Sequence, residues 1–351
     1  MKIFKVFFVL IILGILGFVL FSFPPVQDRL VRNIFQQMTL EESLPSEDSL
    51  SAIVCGSRSP LPHPSRDGTC ILVIAGDDLY VVDTGVGSAN NLLQWRIPFN
   101  KIKAVLLTHL HSDHISDLPN FNLQTWINQN RSSKLTVWGP EGVETVVKGF
   151  NEAFSPDNFF RNAHHGDELA PLKVAGMKPN IINLNKPRIV QTEDLTVTAF
   201  KVKHDPVKPS LGYRFDYKGR SLVISGDTSP SQNLIDNSMG VDVLFHEAQA
   251  NHILLPMKEI MIKAGSIGTA KILDDITTYH TTPEEAAEIA NKANVGHLVF
   301  YHLTPAPRNS TMETIFVRGV NKIRREWTLS NDGTMITLPI GSKEIKIVNI
   351  D

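Results

Sequence analysis

The sequence predicts an α/β fold in which two β-sheets pack together with helices outside, preceded by one apolar helix of membrane-spanning length. Three observations predict it. Short β-type runs begin at about residue 50; runs of strands close with helices twice over; and the first two dozen residues carry an unbroken apolar stretch. With 351 residues, 42% of them hydrophobic, the chain can bury one large core or two smaller ones. The formal net charge of -2, with no long run of one sign, gives no support for a nucleic-acid binder that works through a basic face.

The apolar stretch runs from Val6 to Phe23 without a charge, after Lys2 and Lys5. As a helix it is about 27 Å long at ~1.5 Å per residue, close to the hydrocarbon thickness of a bilayer. It ends in Phe21-Ser22-Phe23-Pro24-Pro25, a poor cleavage site, so residues 1–25 are expected to be an uncleaved N-terminal transmembrane anchor rather than a removed signal. The catalytic domain is then expected to be membrane-anchored and exported (periplasmic or extracellular), with a secreted form as the alternative. Residues 26–49, polar towards their end, read as a short amphipathic piece and a linker, and 50–351 as the folded domain. Cys55 and Cys70 allow one disulfide if that domain is exported; two unlinked buried thiols are the other reading.

Within the domain, Ser51–Cys55, Thr69–Ile74 and Leu79–Val82 read as consecutive strands, and Lys103–Leu107 as another that ends abruptly at Thr108. Ile115–Asn128 and Pro140–Phe154 read as helices. Leu195–Val202, Leu211–Tyr217, Ser221–Ser225 and Val241–Phe245 are strands again. Pro283–Ala293 is a helix: Thr281 or Thr282 can cap it, and Glu284 and Glu285 suit its positive end. Leu298–Tyr301 is a strand, followed by a helix near Thr311–Arg324. Residues 155–190 match no assignable pattern, and adjacent His164 and His165 read as a surface pair in a loop.

The chemistry concentrates in Thr108-His109-Leu110-His111-Ser112-Asp113-His114, where a strand gives way to a helix. A zinc ion needs imidazole nitrogens or carboxylate oxygens converging at roughly 2.0–2.2 Å. Alternate side chains His109 and His111 can turn to one ion, while Asp113 and His114 face a second. A lone His-x-His is usually a surface pair; adding Asp113 and His114 reverses that reading.

This segment resembles the H-x-H-x-D-H signature of the metallo-β-lactamase fold superfamily. The resemblance continues, in order, through Val81-Val82-Asp83-Thr84-Gly85, Lys203-His204-Asp205, Ser225-Gly226-Asp227-Thr228 and His302, covering about residues 51–310. It implies a four-layer αββα sandwich and two divalent metal ions, zinc with manganese as the alternative. The ligands it implies are His109, His111, Asp113, His114, His204, Asp227 and His302, with Asp227 bridging. Phe245-His246-Glu247-Ala248 and Tyr279-His280-Thr281-Thr282 resemble the H-E-A-T and H-S-T elements of ribonuclease Z and its relatives, which implies that Glu247 orients His280 as proton donor. Cys55–Pro62, with Arg66 after it, resembles the substrate-side loop of that group. His63, His164, His165, His246, His252 and His297 match no ligand position.

Two metals roughly 3.5–4 Å apart can share a hydroxide and clamp the attacked oxygen, with Asp113 orienting it or taking its proton and His280 protonating the leaving group. Such a site suits phosphodiesters and aryl sulfate-type esters. One departure bears on substrate: the long arm with which ribonuclease Z grips tRNA has no room in the 23 positions from His204 to Asp227. The expectation is therefore a small-molecule ester substrate, with tRNA unlikely, a membrane partner through the N-terminal helix, and a homodimer allowed. The alternative is a ribonuclease Z-type endoribonuclease that matures tRNA 3′ ends, and a third reading is a non-catalytic metal-binding or sensing protein. Asn251–Ile276, rich in leucine, isoleucine and methionine, is expected to overhang the site.

Overall fold

The computed structural model describes residues 6, 7, 15, 18, 20–38, 44–128 and 131–350. The chain forms two compact units, Met1–Ser43 and Leu44–Asp351.

In the first unit, the helix Pro24–Met38 is 15 residues long and carries Asp28, Arg29 and Arg32. More than half of the apolar run Val6–Phe23 lies outside the described residues. Among the described residues no helix is long and apolar enough to cross a membrane. The expected transmembrane anchor over 1–25 is corrected on that finding. With it go the membrane as a partner and the membrane-anchored, exported placement of the catalytic domain. The described helix Pro24–Met38 cannot take that role: at ~1.5 Å per residue it reaches only about 22 Å, and its three charges would have to enter hydrocarbon.

The second unit begins with strands β1 (Ser49–Gly56), β2 (Cys70–Ala75), β3 (Asp78–Val82), β4 (Ile102–Leu106), β5 (Leu135–Gly139) and β6 (Met177–Ile181). Next come β7 (Arg188–Gln191), β8 (Leu195–His204), β9 (Val207–Tyr217), β10 (Arg220–Ile224), β11 (Val243–Gln249), β12 (His297–Thr304) and β13 (Trp327–Leu329). The last are β14 (Thr334–Pro339) and β15 (Lys346–Asn349). One sheet runs β15-β14-β1-β2-β3-β4-β5-β6 and the other β13-β12-β11-β10-β9-β8-β7. Antiparallel hairpins give way to parallel pairing at β3–β4–β5–β6 in the first and at β10–β11–β12–β13 in the second. Parallel strands need crossovers, and these carry the helices.

Alternation decides the layers. Leu50, Ala52 and Val54 of β1 join Ile71 and Val73 of β2 in the core between the sheets, together with Val197, Ala199, Phe215, Val243 and Phe245 from the second sheet. The opposite faces, through Ile53, Leu72 and Val105 on one sheet and Val223, Leu244 and Leu298 on the other, pack under the helices. The result is the expected αββα sandwich. Residues 155–190 contain the helix Ser155–Leu169, none of whose residues is buried, followed by β6. His164 and His165 sit exposed on that helix rather than in a loop.

The parallel strands end together along one rim. The loops leaving β3, β4 and β10 converge there with Asp83, His109–His114 and Asp227, beside Glu247 and His302 near the ends of β11 and β12.

Candidate active site

Each side chain at the rim is aimed by a specific local device. After β4 the chain extends through Thr108–His111 and turns into the short helix Ser112–Ile115. His109 and His114 are fully buried, Asp113 is half-buried and His111 is exposed. Asp83, at the end of β3, adopts a left-handed φ of 59°. Its Oδ1 accepts the Thr108 backbone N–H at 2.8 Å, and its Oδ2 accepts the Thr108 hydroxyl at 2.8 Å and lies 2.9 Å from His114 Nδ1. The carboxylate thus pins the turn and fixes the ring of His114, a partner that metal-bound histidines commonly have.

His302 is placed by a bulge. In the parallel ladder Tyr301 pairs with Glu247 and Leu303 with Ala248, leaving His302 as the extra residue. Its φ of 46° is rare for a non-glycine residue, and the strain throws the imidazole out of the strand towards Asp113 and Asp227. Gly226, at φ 61°, turns the chain after β10, and a Cβ there would strike the Leu211 carbonyl. Only glycine fits before Asp227.

The seven expected ligands meet. His109, His111 and His204 bring ligand atoms within 4.8 Å of one another, and so do Asp113, His114 and His302; Asp227 groups with His109 and His114. Asp227 Oδ2 lies 3.4 Å from both His114 Nε2 and His302 Nε2, and 4.0 Å from His109 Nε2. The donor set fits two cations. His114 Nε2 and Asp227 Oδ1 are buried with no hydrogen-bond partner among the described residues. Leaving such atoms unpaired costs about 1–3 kcal/mol each, which coordination would offset. Burial holds His109 well below its ordinary pKa and lowers His111 and His204, so their lone pairs are free to bind. Burial also opposes charge on His114, yet Asp227, Asp113 and Asp83 together hold its pKa well above normal. That crowd of carboxylates calls for positive charge at this point.

Glu247 and His280, the residues expected to act as a proton-donor pair, are also brought together. Glu247 is fully buried, and its Oε1 lies 2.9 Å from His280 Nδ1 while accepting the backbone N–H groups of Thr228 at 3.2 Å and Thr281 at 3.1 Å. Burial disfavours the imidazolium of His280, but the Glu247 carboxylate outweighs it and raises the pKa to about 9. Thr282 caps the helix Pro283–Lys292 in a capping box with Glu285, which holds the His280 turn at that helix's start. The rings of His204 and His280 are 5.2 Å apart, so His280 borders the cluster of expected ligands.

Opposite stands the loop that follows β1. Its ends are joined by the Cys55–Cys70 disulfide. Asp332 gathers the loop: it accepts from Ser57 N at 2.9 Å, Ser57 Oγ at 2.6 Å, Asp67 N at 2.6 Å and Asn91 Nδ2 at 3.1 Å. Arg66 donates to Ser57 Oγ and the Ser330 carbonyl, a structural role. Sequence reading noted Asp83 within the resemblance but gave it no role, and it assigned none to Asp332 or to Tyr279, whose carbonyl lies 3.2 Å from His204 Nδ1. Asp83 alone carried a signal, as the strand-end D-T-G.

A two-sheet sandwich with this rim defines a metal-dependent hydrolase acting on ester bonds, and a family model described as a beta-lactamase superfamily domain matches residues 79–303. Ribonuclease Z of Mycobacterium bovis (strain BCG / Pasteur 1173P2) is 32% identical over 259 residues, 73% of this chain and 87% of that protein. Ribonuclease Z of Mycolicibacterium gilvum (strain PYR-GCK) is 32% identical over 73% of this chain and 85% of its own length. The chain belongs to the beta-lactamase superfamily and, within it, to the ribonuclease Z family. Among solved structures, human tRNase Z, short form, superposes with a TM-score of 0.59 at 19% identity, covering 83% of this chain and all of that one. The metallo-beta-lactamase fold protein YhfI from Bacillus subtilis gives 0.58 at 19% identity, over 83% of this chain and all of that one. These two show the fold.

The relatives correct the substrate expectation. A small-molecule ester with tRNA unlikely was inferred from the missing arm and from an exported domain. The second premise has fallen, and the relatives are named ribonuclease Z. They support the endoribonuclease alternative better than the phosphodiester-or-aryl-sulfate reading.

Proposed function

We propose that the chain is a ribonuclease Z-type endoribonuclease that cleaves a phosphodiester of precursor tRNA. In this reading His109, His111 and His204 would hold one divalent cation, zinc by preference, and Asp113, His114 and His302 the other, with Asp227 as a ligand shared between the two groups. When bound, the cation pair supplies Lewis-acid stabilisation of the attacked phosphoryl group and a nucleophile at neutral pH. Asp113 orients the attacking water and takes its proton as the oxygen–phosphorus bond forms. As the opposite phosphorus–oxygen bond breaks, His280 gives its proton to the leaving oxygen. Glu247 Oε1, accepting from Nδ1, leaves the other ring nitrogen of His280 to carry that proton and stabilises the imidazolium beforehand.

The observation that carries this reading is the 2.9 Å pairing of His280 with Glu247 beside a seven-ligand cluster. A strongly basic alkoxide leaving group, such as a ribose oxygen, needs that donor. β9 and β10 fill the interval from His204 to Asp227, so the RNA is held at the mouth of the site rather than by an arm inserted there. The test is the zinc-loaded full chain on precursor tRNA, bis-p-nitrophenyl phosphate and p-nitrophenyl sulfate. Single-site cleavage of the RNA, lost in His280→Ala and Asp227→Asn, is expected. Turnover of the sulfate ester with the RNA left intact would overturn the proposal.

A further inference from the structure

Above the ligand cluster lies a cavity of about 230 Å³ whose two halves differ in chemistry. Its floor is the histidine and aspartate set. Its walls are apolar: Leu61 comes from the loop after β1, and Ile272, Ile276 and Tyr279 come from the segment between β11 and the helix Pro283–Lys292. The Tyr279 ring is half-buried and packs 5.0 Å from the ring of His280 and 5.2 Å from that of His204. Only the carbonyl of Tyr279 serves the ligand set, by facing His204 Nδ1; the aromatic side chain is left over. Ser59 lines the same cavity, with a buried hydroxyl that has no hydrogen-bond partner among the described residues.

An aromatic face beside a proton donor, opposite aliphatic groups and a spare hydroxyl, is built for a flat ring with polar edges. Leu61 and Ile276 give such a ring apolar contact but cannot orient it, whereas the Ser59 hydroxyl can bond to its edge. We propose that Tyr279 is the stacking platform for the nucleobase next to the scissile phosphodiester, making it a specificity-determining residue. The inference rests on the ribonuclease reading and names the part of the RNA that enters this cavity. Base–aromatic stacking is sequence-tolerant, so the slot recognises a base as such.

The test is calorimetric binding of adenosine 5′-monophosphate and of ribose 5-phosphate to the zinc-loaded full chain, in the natural protein, Tyr279→Phe and Tyr279→Ala. The natural protein is expected to bind the nucleotide about 10-fold more tightly, within the roughly 5- to 150-fold range of a single base–aromatic stack. Tyr279→Phe should keep that advantage. Tyr279→Ala should lose most of it while holding ribose 5-phosphate as before. A natural protein with no preference for the nucleotide overturns the proposal, and so does an undiminished preference in Tyr279→Ala. A base preference without cleavage of precursor tRNA would sink the ribonuclease reading and leave the slot standing.

Discussion

Glu247 Oε1 lies 2.9 Å from His280 Nδ1, and the same oxygen accepts two backbone N–H groups, so the carboxylate cannot turn away from the imidazole. Glu247→Gln keeps the shape and removes the charge that stabilises imidazolium. A fall in kcat of about 10- to 100-fold is expected on RNA, and one of about 10²- to 10⁴-fold for His280→Ala. Both losses should shrink on bis-p-nitrophenyl phosphate, whose leaving group needs little protonation. Equal losses on both substrates would show that the pair does something other than donate a proton.

Asp227 faces three histidines from a position that is 2% exposed. Asp227→Asn should reduce bound metal to one ion per chain or fewer, read by elemental analysis, and cut activity by at least about 10²-fold. Removing the metal with a chelator should lower the melting temperature, because a bound ion stabilises only the folded form. An unchanged melting curve would count against metal in this cluster.

Asp332 holds both ends of the Ser57–Asp67 loop with three accepted hydrogen bonds and accepts a fourth from Asn91. Asp332→Ala leaves those buried donors unpaired and should cost about 2–4 kcal/mol in chemical denaturation. KM should rise with it, since Ser59 and Leu61 on that loop wall the cavity.

The Cys55–Cys70 disulfide closes a 15-residue separation around the same loop. Reduction, or Cys70→Ser, is expected to lower stability by up to about 3 kcal/mol. Identical unfolding curves with and without reductant would show that the bridge does not form in solution.

His297 is half-buried, and burial together with Arg324 lowers its pKa to about 4. The unfolded chain then binds more protons than the folded one between about pH 6.5 and 4. Stability should therefore fall as pH drops through that window, by about 1–2 kcal/mol after allowance for solvent screening. His297→Gln should flatten this part of the melting-temperature profile, and an unaltered slope would contradict the assignment.

Much of this was legible in the sequence because metal ligation is written locally. Four ligands fall within His109–His114, and the remaining three, each unremarkable alone, were implied only by the ordered resemblance to the family. The fold was readable for the same reason: β1, β2, β8 and β10 differ from their expected bounds by a few residues. What could not be read depends on partners far apart in the chain. Asp332 meets Ser57 across 275 positions, and nothing near Asp332 marks it. The helix Ser155–Leu169 buries none of its residues, so it leaves no core-facing stripe to detect. The N-terminal anchor was read from composition alone, and among the described residues no helix is long and apolar enough to cross a membrane.

The central claim is that seven side chains enclose two cations, and anomalous diffraction at the zinc edge from zinc-grown crystals tests it most directly. Two peaks are expected. One should lie within about 2.0–2.2 Å of ligand atoms on His109, His111 and His204, the other equally near Asp113, His114 and His302, with Asp227 touching both. A map with no peak inside this cluster, or with zinc bound only elsewhere on the chain, would contradict the account.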